Sequence, residues 1–432
     1  MTLNRSRRPL QALAAASAVL ALAACGGSDP GTEGGGGGDE GPVELRFAGW
    51  DESQTPAMQA FIDAFEAENE DISVTYETVP FNQYATKLQV QASSGDAPDV
   101  FWLHANDRDL YASEGVTQNL DELIEESDFD LSAYPEAALQ QVTYEDSIYG
   151  FPRGAATVEL WFNKEMFDAK GVEHPTADWT WEDLQTAAAQ LTDTPNGVYG
   201  VTTLYDGTQS FYNTIFQAGG QVISDDRSEA LLDQPEAIEG IEFWTDMIEA
   251  GSAPTYQAQL DTAPAAMFQS GKAAMIYAGS WHPGIFDADP AIKDKIDVVQ
   301  MPAGPGGDAT LLGANAYAMS SNSEHPEAAW KFLSFIGGPE GAQVGAQSKV
   351  VVQPAEQEAA VVWAEQFPQW NMDAIIDSAQ DGVPGPTTKL TTEWTGAMVD
   401  ALAPAFDLKV PAAEAAKNAD AAIEEVLAKE NG

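Results

Sequence analysis

Residues 43–77 read VELRFAGWDESQTPAMQAFIDAFEAENEDISVTYE, and the fold follows from how this stretch is punctuated. Val43, Leu45 and Phe47 alternate with Glu44 and Arg46, which is the period of a strand. Gly49-Trp50-Asp51 interrupts the alternation as a loop. Met58, Phe61, Ile62 and Phe65 then recur at helical spacing, before Ile72-Ser73-Val74-Thr75-Tyr76 alternates again. Strand, helix and strand in succession form the unit from which parallel sheets are built.

The same grammar continues downstream. Val100-Phe101-Trp102-Leu103 reads as a strand after the turn signal Ser94-Gly95-Asp96-Ala97-Pro98. Helical patterns recur over 181–192, 235–250, 326–336 and 411–429, separated by short Gly- and Pro-rich connections. The chain is therefore expected to be α/β. Ligands in open α/β sheets bind beyond the carboxyl ends of the strands. The loops just after 47, 103, 204 and 278 are the places to look.

Upstream of residue 43 the composition changes. Ser28 to Gly41 holds a run of five glycines with Asp, Glu and Thr, which cannot bury a core and reads as a flexible tether. Before it, Arg5, Arg7 and Arg8 precede the apolar run Leu10–Ala24, which is short for a membrane span and flanked like a secretory signal. The run closes on Leu22-Ala23-Ala24-Cys25. Small residues before a cleavage point and a cysteine just after it resemble the lipobox of bacterial lipoproteins, whose thiol is diacylated. Cys25 is the only cysteine, so no disulfide framework explains it. The expectation is a signal peptide over 1–24, then lipidated Cys25 and a tether over 25–42. The protein would be exported and held to the outer face of the cell membrane by its lipid.

The remaining body, from about Val43 to Gly432, is longer than a single core usually supports, so two lobes are expected. The net charge is −49, and without the signal's three arginines 16 basic residues face 68 acidic ones. Such a balance repels nucleic acid and anionic lipid headgroups. No nucleic-acid partner is expected, and the body reads as a monomer.

Catalytic, metal and cofactor signatures are not found. His104, His174, His282 and His325 are scattered, with no H-E-x-x-H or paired-cysteine pattern. There is no nucleophile elbow. Gly271-Lys272 lacks both the upstream glycine and the following Ser or Thr of a phosphate loop. Gly304-Pro305-Gly306-Gly307-Asp308-Ala309 fits a dinucleotide pattern formally, but holds a proline and leads into a strand-like segment. With 68 acids, chance carboxylate pairs carry no weight for glycoside hydrolysis.

Several segments, in order, now carry a resemblance. Ser93-Ser94-Gly95-Asp96-Ala97-Pro98-Asp99-Val100 turns into a strand. Tyr149-Gly150-Phe151-Pro152 and Glu159-Leu160-Trp161-Phe162-Asn163-Lys164 follow, then Thr180-Trp181-Glu182-Asp183-Leu184. Phe268-Gln269-Ser270-Gly271-Lys272 leads into Gly279-Ser280-Trp281, and Gly313-Ala314-Asn315-Ala316-Tyr317 precedes His325-Pro326-Glu327. Together they resemble family 1 of the extracellular solute-binding proteins, a group with many oligosaccharide receptors. The resemblance implies a two-lobed periplasmic-binding-protein type II fold, with three interlobe crossings and a ligand cleft between the lobes. It places lobe 1 at 43–151 plus 300–338 and lobe 2 at 152–299 plus 345–432, with a hinge near Phe151–Thr157. It also implies an ABC importer: a sugar is captured and passed to a membrane permease.

A sugar site needs aromatic faces for the C–H side of the ring and planar polar groups for its hydroxyls, because a buried hydroxyl left unpaired costs roughly 1–3 kcal/mol. Trp50 and Asp51 follow the first strand. Trp102, His104, Asn106, Asp107 and Arg108 lie in a segment that resembles the family's sugar-contacting loop. Tyr205, Asp206, Gln209, Phe211 and Tyr212 fill a second-lobe loop, Trp281 is the tryptophan of Gly-x-Trp, and Asn315 closes a strand-end segment. Trp370 is the choice among the C-terminal tryptophans. Core packing competes for several of these: Trp102 alternates with core residues, His104 fits a core histidine, and Asp107 and Arg108 fit a surface pair. Trp161, Trp181, Trp244 and Trp330 read as packing. The alternatives to a sugar receptor are a receptor for a polyol, a glycerophosphodiester or thiamine, and a secreted carbohydrate-active enzyme.

Overall fold

The computed structural model describes residues 42–431. The expected signal peptide, Cys25 and all but the last residue of the tether lie outside them.

β1 is Val43–Gly49, α1 is Thr55–Glu68 and β2 is Ile72–Thr78. β1 and β2 pair in parallel, from Val43 opposite Ile72 to Gly49 opposite Thr78. Leu45 and Phe47 of β1 share one buried core with Met58, Phe61, Ile62 and Phe65 of α1. α2, Phe81–Ser94, ends on Gly95 at φ 76°, a left-handed cap that glycine adopts without the clash of a Cβ. β3, Val100–Leu103, is buried along its length and pairs in parallel with β1. Its other edge takes the antiparallel strand Ala316–Met319, which in turn takes Phe151–Pro152, completing a five-stranded sheet. The loops after β1 and β3 therefore emerge side by side.

A second sheet runs in the order Ile296–Val299, Val158–Asn163, Ala273–Gly279, Tyr199–Thr202. Its two central strands are buried throughout, which is the signature of a sheet covered on both faces. Leu160 and Phe162 face a core built with the helices Trp181–Leu191, Pro235–Glu249 and Thr391–Phe406. Trp161 faces the opposite core, with Phe286, Trp363 and Trp370.

Three chain segments run between the two sheets, hydrogen-bonded side by side. Arg153 N donates to Asn315 O at 2.8 Å, and Ala156 and Gly313 exchange backbone bonds at 2.8 Å each. Ala155 N donates to Gln353 O at 3.2 Å. Gly154, within the expected hinge, sits where a side chain has no room: a Cβ there would stand 2.4 Å from Val352 Cγ2. The expected return to lobe 1 at residue 300 comes too early. Met301 and Leu311 belong to the second lobe's core, and Thr310 Oγ1 donates to Val158 O at 2.9 Å. The chain rejoins the first sheet only with Ala316. No helix of the described residues is long and apolar enough to cross a membrane.

Candidate functional site

Between the two lobes lies a cleft of about 780 Å³. Its first-lobe wall grows from the loops after β1 and β3. Asp51 caps a short turn, Glu52–Gln54, accepting from Ser53 N at 2.9 Å, Ser53 Oγ at 2.6 Å and Gln54 Nε2 at 2.8 Å. The other end of the same amide, Gln54 Oε1, accepts from Arg153 Nη2 at 2.5 Å. The Arg153 guanidinium carbon lies over the Trp102 ring, 3.7 Å from its centroid, and 5.8 Å from that of Trp50. Trp50 stands edge-on to Trp102 at 5.0 Å and meets Phe81 at 5.8 Å. His104 completes this aromatic wall. Its Nδ1 accepts from Asn106 N at 3.2 Å, which leaves the proton on Nε2. Burial holds the imidazole below its ordinary pKa, against the opposing charge of Asp107. Asn315 Oδ1 accepts from Ala105 N at 3.1 Å, which fixes this amide in the wall beside Asn106.

The second-lobe wall has a different construction. Trp281 follows the strand Ala273–Gly279, and a Cβ on Gly279 would lie 2.1 Å from the indole Cζ3. The ring thus folds back over the glycine, which is why Gly-x-Trp needs its first residue. Asp206 caps the turn Gly207–Phe211 and accepts from Gln209 N at 2.7 Å. Burial pushes its carboxyl up to about 6, although the backbone N–H groups of Gln209 and Thr208 favour the charged form. Tyr212 reaches the cleft with a buried hydroxyl that has no protein partner. The helix Thr391–Phe406 supplies Thr392, Thr395, Gly396, Val399 and Asp400, one stripe at helical spacing.

Nine of the fifteen residues expected at the site line this cleft: Trp50, Asp51, His104, Asn106, Asp206, Gln209, Tyr212, Trp281 and Asn315. Six do not. Trp102 is fully buried beneath Trp50 and Arg153, so it supports the wall without facing the cleft. Tyr205 stacks on Phe406 at 4.6 Å and donates to Pro254 O at 2.8 Å inside the core. Phe211 is also core, because the turn presents Tyr212 instead. Asp107 turns to Thr392 Oγ1 at 3.0 Å. Arg108 does not pair with Asp107: it is buried, donates to Asp109 Oδ1 at 2.5 Å and to Gln140 O at 2.9 Å. Trp370 packs face-on to Phe367 and edge-on to Trp161, and its indole N–H is spent on Lys293 O at 2.8 Å.

Sequence reading missed Gln54, Phe81 and Arg153, together with the stripe on Thr391–Phe406. Phe81 carried one legible signal, since it opens the helix after β2 in an otherwise polar turn. The stripe carried another: Thr, Thr, Gly, Val and Asp at helical spacing leave no large apolar residue for a core. Nothing local marked Arg153, whose partners Gln54 and Trp102 lie in other segments.

Two sheet-based lobes, three linked crossings and a cleft lined from both sides define a two-lobed solute-binding protein. The family model of the bacterial extracellular solute-binding proteins matches residues 50–343, and the chain belongs to that family. Proteins of this family are exported. The maltotriose-binding protein of Pyrococcus abyssi is 28% identical over 67% of this chain and 62% of its own length. The maltodextrin-binding protein of Bacillus subtilis is 24% identical over 89% of each chain. Among solved structures, an ABC substrate-binding protein of Listeria monocytogenes in complex with cycloalternan superposes with a TM-score of 0.82. It is 30% identical over 90% of this chain and 99% of that one.

Proposed function

We propose that the protein is the substrate-binding component of an ABC importer for an oligosaccharide, carried on the outer face of the cell membrane by a lipid on Cys25. One observation carries the sugar reading. Trp50 from one lobe and Trp281 and Tyr212 from the other face a single cleft whose remaining lining sets amides, hydroxyls and carboxylates among glycines and small apolar residues. Aromatic faces take the C–H surfaces of pyranose rings, and the planar polar groups take hydroxyls. The cleft's volume suits a ligand larger than one sugar ring, within the roughly 300–1,000 Å³ of small-molecule sites. Among the described residues that line it, Arg153 is the one arginine or lysine, and it is engaged with Gln54 and Trp102. That argues against a phosphorylated solute, which recruits several free cations. Binding that touches both lobes favours the closed arrangement, because only differential affinity shifts such an equilibrium. The receptor acts by binding and release, without turnover.

The experiment is thermal unfolding of the purified protein against glucose, linear and cyclic α-glucans, polyols and glycerophosphodiesters. A ligand specific to the folded state at a hundredfold excess over its Kd stabilises by about 2.7 kcal/mol. Stabilisation by an α-glucan alone, with the sugar recovered intact, supports the reading. Stabilisation by a polyol or phosphodiester alone keeps the fold and overturns the sugar, and recovery of shortened glucans overturns the receptor.

A further inference from the structure

Three consecutive residues of the first lobe, Asp107, Arg108 and Asp109, each bond across to the second. Thr392 Oγ1 donates to Asp107 Oδ1 at 3.0 Å, Arg108 Nη2 donates to Thr387 Oγ1, and Arg227 Nη1 lies 3.0 Å from Asp109 Oδ2. Gln141 Nε2 adds a further bond, to Gly385 O at 3.0 Å. Thr387 and Thr392 also line the cleft, but Asp107, Arg108, Asp109 and Arg227 do not. The charged part of this seam therefore joins the lobes outside the sugar site.

Asp109 is fully buried. Its Oδ1 accepts from Arg108 Nε at 2.5 Å within its own lobe, and its Oδ2 has Arg227 as its one partner among the described residues. The interlobe pair thus sets an exposed guanidinium against a carboxylate fixed in the first lobe. Arg227 is presented by a turn over residues 224–229, which the bridge between Ile223 and Ala230 roots in the second lobe's core. Asp226 Oδ1 ties this turn together, accepting from Ser224 Oγ at 2.7 Å and Ser228 N at 3.1 Å. Arg227 stands at φ 62°, a left-handed backbone that suits glycine and is uncommon for a long side chain. The turn itself does not call for arginine, whereas the carboxylate across the seam does. Of the four arginines after residue 42, two converge on Asp109, so a strongly acidic chain concentrates its guanidinium groups here.

We infer that Arg227 and Asp109 form an interlobe latch, which holds the closed arrangement and slows release of the bound sugar. This rests on the receptor reading above and adds to it a positioning residue, Arg227, that does not line the sugar cleft. The sugar closes the lobes through its own contacts, and the latch delays their separation. Parting the lobes takes Arg227 away from Oδ2 and leaves the carboxylate with Arg108 alone, so opening is opposed. A contact made only between closed lobes changes dissociation more than association. Because Arg227 is exposed, salt screens the pair, whereas hydrogen bonds to a neutral sugar carry no comparable charge to screen.

The test is stopped-flow release of maltotetraose from the purified protein, Arg227→Gln and Arg227→Lys, with small-angle X-ray scattering of each without sugar. Arg227→Gln should release the sugar roughly fivefold faster, with association within about twofold of the parent. Its sugar-free form should show a larger radius of gyration than the parent's. Arg227→Lys keeps the charge and should recover most of both differences, because a single N–H makes the contact. Between about 0.01 M and about 1 M NaCl the Debye length falls from about 30 Å to about 3 Å, so release from the parent should quicken toward the rate of Arg227→Gln, which stays flat. Equal release rates for the parent and Arg227→Gln at low salt, or a salt response shared by both, overturns the latch and leaves the receptor reading standing. If maltotetraose binds none of the three proteins, the α-glucan reading falls and scattering decides the latch: an unchanged radius in Arg227→Gln overturns it.

Discussion

The two walls of the cleft reach similar chemistry by different routes. On the first lobe, Trp50, Asp51, His104 and Asn106 all sit within a few residues of the ends of β1 and β3. Their placement is a local consequence of a parallel sheet, whose strands end together. On the second lobe, Trp281 and Asp206 follow strand ends, but a large part of the wall is the face of Thr391–Phe406, far along the chain. The first wall is stiffened by a buried relay, Asp51–Gln54–Arg153–Trp102, and the second by backbone that closes against rings at Gly279 and Gly207. A wall fixed by side chains fails through its partners, and a wall fixed by glycines fails through added atoms.

That contrast can be broken or sharpened by substitution. The largest loss is expected for Trp281→Ala, about 3 kcal/mol or roughly a hundredfold in Kd by calorimetry, the range of an aromatic anchor in a binding site. An effect below about threefold would remove Trp281 from the site. Gly279→Ala, which adds one methyl group and deletes nothing, should lose roughly tenfold by displacing the indole. Unchanged affinity there would show that the ring is free to move. On the other wall, Arg153→Met leaves Gln54 Oε1 without its donor and loosens the amide that holds one oxygen of Asp51, with an expected loss of roughly fivefold. If Gln54→Ala reproduces that loss and the double variant adds nothing further, the relay acts as one unit.

The smallest effect on binding should come from Trp370→Ala. Its ring is core, so affinity is expected to stay within about twofold while the second lobe loses about 3–5 kcal/mol of stability. Equal losses of affinity and stability would instead put Trp370 at the ligand.

A further difference lies in pH. Glu159, in the strand Val158–Asn163, is fully buried with one oxygen accepting from Thr157 Oγ1 at 2.6 Å and the other unpartnered. Burial pushes its carboxyl up to about 8, from an ordinary value near 4.5. A carboxyl that binds its proton more tightly in the folded state stabilises the fold at low pH. That contribution is lost as pH rises from about 4.5 through about 8. Glu159→Gln should therefore unfold at a higher temperature than the parent at pH 8, with the gap closing by pH 5. His282, which burial lowers to about 4, works in the opposite direction below pH 6.5 and is common to both proteins. A gap independent of pH would show that Glu159 does not titrate in this range.

Patterns along the chain already contain much of this molecule. The alternation and helical spacing over residues 43–77 specify the first strand–helix–strand unit, because periods of two and 3.6 residues are local properties of the backbone. Strand ends also identify Trp50, Asp51, His104, Asn106, Asp206 and Trp281 as cleft-lining candidates, since a parallel sheet gathers its loops at one edge. Sequence could not choose between neighbours. Phe211 and Tyr212 differ by one step around a turn, and only the packing of Phe211 against Phe406 decides which ring faces the cleft. Nor could it find Arg153, whose position rests on Gln54 and Trp102, or decide between Trp370 and the Thr391–Phe406 helix for the second wall. The chain's periodicity determines which elements form and where their loops emerge. Which side chains meet across the cleft depends on contacts between segments hundreds of residues apart, and these exist only once both lobes have packed.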